Sequence, residues 1–150
     1  MKKREQFDLA RRIAEIRRLQ LERARTDTLR LVQALDHRRE HENAVSASLD
    51  AHLEAWRDAL RSPAGLSPSL AMNWSGAVAS VRNACQQARQ DTQDAATQVE
   101  RQRVAMTRRE QQSEHAGEMA DRAWRRFQRE REEQQASRIE DMFLANGDHS

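Results

Sequence analysis

Residues that reverse a chain are nearly absent here: 150 residues include four glycines and two prolines. A globule that folds back on itself many times needs more turn chemistry than that. Tyrosine is missing and aromatics make up 4% of the chain, so there is little bulk for a thick core. The single cysteine, Cys85, excludes an intramolecular disulfide and fits a reducing cytosol. No stretch approaches the about 18 apolar residues of a membrane-spanning helix, so no membrane insertion is expected. Met1-Lys2-Lys3-Arg4 has the charge that opens a secretory leader, but no apolar segment follows it.

What the sequence has is charge and period. A third of its residues are charged and 37% are hydrophobic, with abundant Ala, Arg, Glu, Gln and Leu. Such a composition is either disordered or a long helix, and sustained periodicity decides for the helix. Alternate steps of four and three from Trp74 pass through Val78, Val81, Cys85, Ala88, Thr92, Ala95, Val99, Gln102, Met106, Arg109, Ser113, Ala116, Ala120, Ala123 and Phe127. Only Gln102, Arg109 and Ser113 are out of place on a buried stripe. A helix holds such a stripe to one side only by winding around a partner, which makes it a coiled-coil seam.

The pattern predicts an all-α fold, a long two-helix antiparallel coiled-coil hairpin forming one domain. Helix one is expected over about 5–61, a turn over 62–68, helix two over about 69–143, and a flexible tail over 144–150. Helix one has apolar residues at Phe7, Leu9, Ala10, Ile13, Ile16, Leu19, Leu21, Ala24, Thr28, Leu31, Leu35, Val45, Leu49, Leu53, Trp56 and Leu60, in a broader, less regular pattern. Between Arg38 and Glu42 its seam positions are charged, a weak patch. Ser62-Pro63-Ala64-Gly65-Leu66-Ser67-Pro68 is where the chain reverses: Pro63 ends a helix, Gly65 suits a left-handed conformation, and Ser67-Pro68 reads as an N-cap before a first-turn proline. A hairpin closing near residue 65 sets residue i beside residue 130 minus i, so that Phe7 lies near Ala123 and Arg30 near Glu100.

Charge is segregated along the chain. Residues 1–30 hold ten basic and five acidic groups, residues 101–131 nine and five, and residues 132–150 one and five. In a hairpin the two basic blocks lie together at the open end. The acidic end of helix two then extends beyond helix one, carrying Ile139, Met142, Phe143 and Leu144.

No catalytic grouping emerges, so no enzymatic activity and no cofactor is expected. His37 and His41 have a spacing able to hold a metal, but Arg38-Arg39-Glu40 between them lacks the zinc-protease order and no third ligand is suggested, so they read as a solvated pair. Acidic residues interleave both basic blocks and no basic-region zipper follows, which argues against specific nucleic-acid binding. Neither helix has a second wide apolar face for a membrane surface. Trp74-Ser75-Gly76 spells the Trp-x-Gly signature of small secreted hairpins, but inside helix two rather than in a turn.

Architecture and charge layout together resemble the stalk subunit of bacterial type III export machines, the FliJ/YscO-like family. The resemblance covers the whole chain: its length, the arginine-rich start, a shorter helix before a longer one, and one turn after about 60 residues. It implies a component of a virulence or flagellar export apparatus, cytoplasmic and peripheral to the inner membrane. Its open end would enter the hexameric export ATPase and promote ring assembly and hydrolysis. Its other face or tip would engage the cytoplasmic domain of the export gate, and export chaperones are further partners in the family. Carried onto this chain, the ATPase contacts would be Arg4, Arg11, Arg12, Arg17, Arg18, Arg122, Arg125, Arg126 and Arg129, with Met142, Phe143 and Leu144. Gate contacts would be Trp56, Met72 and Trp74. The competing expectation is a coiled-coil chaperone, escort or scaffolding adaptor with another partner, or a homodimer joined through the same seam.

Overall fold

A computed structural model describes residues 2–65 and 67–147. The protein is all-α: α1 (Lys3–Arg61, 59 residues) and α2 (Pro68–Gly147, 80 residues) pack against each other as an antiparallel hairpin. Leu66 and residues 148–150 lie outside the described residues. The connection is built as its residues dictate. Ser62 N–H donates to the Ala59 carbonyl at 3.3 Å and Gly65 N–H to that of Ser62 at 3.1 Å. Gly65 takes φ 70°, in the left-handed region where a side chain would be strained. Ser67 caps α2 by accepting the Leu70 N–H on its Oγ at 3.2 Å, and Pro68 fills the first helical position, where no N–H is needed. Residues 144–147, expected in a flexible tail, belong to α2, which continues to Gly147. The helix-forming run Ile139–Ala145 meets no breaker before Asn146-Gly147.

Contacts gather into two units, one of Met1–Arg25 with Ala105–Ser150 and one of Thr26–Val104. In the second, the α2 stripe from Trp74 to Gln102 is buried or half-buried at every step. Ala88 and Val99 are each 2% exposed. Thr28 and Leu35 are buried on α1, and Leu31, Val45, Leu49, His52, Trp56 and Ala59 are half-buried. Trp56 meets Trp74 edge to face at 6.1 Å, the pairing expected from 130 minus i. The charged patch at Arg38–Glu42 is bridged across the helices rather than left weak. Arg38 reaches Asp91 at 3.9 Å and Glu42 reaches Arg89 at 4.0 Å. Both pairs are largely solvated, so each is worth at most about 1 kcal/mol. Thr92 Oγ1 shares its proton between the carbonyls of Ala88 at 3.0 Å and Arg38 at 3.3 Å, which ties the same layer. Arg30 and Glu100 turn instead to neighbours on their own helices, Asp27 and Arg103.

In the first unit the α2 stripe continues through Met106, Arg109, Ser113, Ala116, Ala120, Ala123 and Phe127, none of them exposed. Gln102, Arg109 and Ser113 therefore keep the period although their chemistry is polar. Here α1 departs from the sequence reading. Its seam is Phe7, Ala10, Ala14, Arg17, Leu21 and Ala24, while Leu9, Ile13, Ile16 and Leu19 are exposed. The bulky aliphatics lie one or two residues off the seam, about 100–200° around the helix. Three of these six contact positions, Ala10, Ala14 and Ala24, are alanines. Subtracting each α2 seam number from 130 returns the α1 seam, so α1 is as regular as α2.

This assignment separates two leucines that look alike in sequence. Leu21 is 7% exposed and Leu19 58%. Leu21→Ala should cost about 2–4 kcal/mol in urea unfolding followed by circular dichroism. Leu19→Ala should cost less than about 0.5 kcal/mol.

Candidate functional site

The densest positive charge falls in the first unit. Residues 1–25 and 105–131 carry sixteen basic and nine acidic groups. Arg4, Arg11, Arg12, Arg18, Arg122, Arg125, Arg126 and Arg129 all sit on exposed positions of the two helices. Arg11 pairs with Glu15 one turn on, at 3.5 Å, and both remain solvated. Arg17 differs from the others. It occupies a seam position and is half-buried.

Its guanidinium belongs to a polar layer that sequence reading did not assemble. Arg17 Nη1 donates to Gln20 Oε1 at 3.2 Å and to Gln112 Oε1 at 3.3 Å. Arg109 Nη1 donates to the same two oxygens, at 3.0 and 3.2 Å. Each amide oxygen has two lone pairs and uses both. Among the described residues no carboxylate pairs with either guanidinium, so two like charges are held together by two amide dipoles. Arg109 thus meets Gln20 of α1 across the seam. The signal was present in the numbering: Gln20 and Arg109 nearly satisfy the 130 rule, as do Arg17 and Gln112.

Beyond this layer the unit ends in an aromatic cluster. Phe7 packs on Trp124 at 5.0 Å and stacks on Phe127 at 6.2 Å, with Arg131 over the Phe127 ring at 5.8 Å. Arg4 and Asp8 line the same end. Among the described residues no α1 residue stands opposite α2 beyond about residue 127. Residues 131–147 are exposed throughout, including Ile139, Met142, Phe143 and Leu144. Phe143 is 78% exposed. The basic surface and the apolar overhang thus occur in one unit, as the charge pattern implied.

Along one flank of this unit runs a groove of about 360 Å³, lined by Leu9, Ala10, Ile13 and Met119 and rimmed by Gln6, Arg17, Gln112 and His115. Leu9 and Ile13, two of the aliphatics left off the seam, form part of its wall. No family model, curated protein or solved structure matches the chain.

In the second unit, Trp56 and Trp74 are half-buried against each other, whereas Met72 is exposed. A groove of about 470 Å³ opens beside them, with Leu53, Val78 and Arg82 in its walls. Among the described residues no group of three or more metal-ligating side chains occurs. His37 and His41 are both exposed. No described helix is long and apolar enough to cross a membrane.

The polar layer makes its own prediction. Gln20→Leu with Gln112→Leu removes both shared acceptors and leaves two guanidiniums side by side, which should cost about 1–3 kcal/mol in urea unfolding. Adding Arg17→Met and Arg109→Met, to make the layer apolar, should recover that loss or exceed it.

Proposed function

We propose that this chain is a coiled-coil stalk whose basic open end docks into an acidic partner ring, in the manner of the type III export stalk it resembles. The observation carrying the reading is the first unit, where exposed arginines of both helices share one end with an uncovered helical overhang bearing Met142, Phe143 and Leu144. A positive rod end is steered into a negatively lined opening, and apolar residues at its tip then supply contact that survives salt. The docking set is Arg4, Arg11, Arg12, Arg18, Arg122, Arg125, Arg126 and Arg129 with the overhang. Arg17 leaves that set, since its guanidinium is held in the polar layer. In this reading the protein contributes no chemistry and acts on a hexameric export ATPase by favouring ring assembly or asymmetry. It works in the cytoplasm beside the inner-membrane apparatus, with export chaperones as further partners.

The turn region in the second unit carries the gate contact. Met72 is 78% exposed, with Leu60 and Leu70 also exposed nearby in sequence, which supports an apolar contact there. Trp56 and Trp74 face each other and contribute through their outer edges. The second reading, a coiled-coil escort or scaffolding adaptor, draws on the groove flanking the seam.

The test is the hydrolysis rate of the export ATPase from the same organism, titrated with the purified chain. Wild type should raise the rate together with ring assembly. Arg125→Glu with Arg126→Glu should slow association by about tenfold at low salt, with the difference shrinking as salt rises. Absence of binding and of any rate change would leave the adaptor reading.

A further inference from the structure

We propose that the acidic overhang of α2 in one copy docks into the flank groove of a second copy, and the second copy's overhang into the first, giving a reciprocal homodimer. This goes beyond the stalk reading and does not depend on it. The groove has apolar walls, Leu9, Ile13 and Met119, all exposed in the single chain, and Arg17 and His115 on its rim. Its natural occupant is a helix offering apolar anchors three and four residues apart with a carboxylate beside them. The overhang offers that set: Ile139, Met142 and Phe143 at i, i+3 and i+4, flanked by Glu140 and Asp141. Charge agrees, since the groove lies in a unit with sixteen basic against nine acidic groups through residue 131, while residues 132–150 hold one against five.

The overhang cannot fill the groove of its own chain. Met119 and Phe143 lie on one unbroken helix, and 24 residues put them about 36 Å apart. A second copy removes that obstacle and closes the assembly, because each chain brings one groove and one overhang. The alignment is also self-consistent. Two antiparallel copies of α2 that set Phe143 beside Ala116 set Ala116 beside Phe143 by the same shift. That shift places Arg126 of each copy level with Glu133 of the other, while Glu118 comes level with Asp141. A dimer of this kind hides the overhang that a ring would need, and so makes self-association and ring docking exclusive.

Sedimentation velocity on the full chain, from micromolar to several hundred micromolar, tests this. Wild type should reach twice the 17.4 kDa chain mass. Its dissociation constant should rise about tenfold between low and high salt. Met142→Ser with Phe143→Ser on the overhang, and separately Ile13→Glu with Met119→Glu on the groove, should each give monomers whose helicity by circular dichroism matches wild type. Mixing the two variants should restore a dimer fraction that neither has alone, since one intact overhang then meets one intact groove. A wild-type monomer across the range overturns the proposal and leaves the groove to a different protein. Dimers that persist in both variants overturn it too, because another surface would then join the copies.

Discussion

The fold depends on one arithmetic constraint, the alternation of three- and four-residue steps on both helices in matching phase. A helix turns about 100° per residue, so only that alternation keeps a stripe facing one partner over many turns. Because the steps on α1 mirror those on α2, each layer sets one residue of α1 against the residue whose number completes 130. No layer needs to be large. Ala10, Ala14, Ala24, Ala88, Ala95, Ala116, Ala120 and Ala123 give little area each, and the seam gains its burial from many layers rather than from bulk at any one. Aromatic weight is reserved for places where the seam would fray: Phe7, Trp124 and Phe127 near the start of α1, and Trp56 with Trp74 near the turn.

A seam this uniform is prone to slip, since alanine against alanine looks similar after a shift of seven. The polar layers supply what the alanines lack. Arg17, Gln20, Arg109 and Gln112 satisfy one another in the observed register, and a slip of one heptad would separate them. Arg38 with Asp91, and Glu42 with Arg89, mark the register in the other unit. Their net contribution to stability is small, and their effect is on which alignment wins. The same polarity that weakens the core thereby selects one pairing of the two stripes.

Much of this was legible before any coordinates. The α2 stripe, the capped turn at Ser67-Pro68, the left-handed Gly65 and the pairing of Trp56 with Trp74 all follow from spacing and local chemistry. The α1 seam was harder to see because hydrophobicity misleads there. Leu9, Ile13, Ile16 and Leu19 are larger and more apolar than Ala10, Ala14 and Arg17, so a search for bulk selects the flank. The ladder of sevens through Phe7, Ala14, Leu21, Thr28, Leu35, Glu42, Leu49 and Trp56 was present, but its small and polar members concealed it. The same bulk conceals the groove, whose walls include Leu9 and Ile13 beside the seam. The basic end was visible from charge and the overhang from the hairpin register, whereas the role of Arg17 required knowing which side of α1 faces inward.

The central claim is the register within a single chain, and cysteine pairing reads it directly. In a Cys85→Ser background, Ala14→Cys with Ala116→Cys joins two seam positions of one layer, while Ala14→Cys with Ala123→Cys is displaced by one heptad. Under mild oxidation at low protein concentration, the first pair should close into an intramolecular disulfide in nearly every molecule and the second in very few. Equal closure of both pairs would contradict the register, and disulfide-linked dimers from the first pair would show that the seam joins two chains instead of one hairpin.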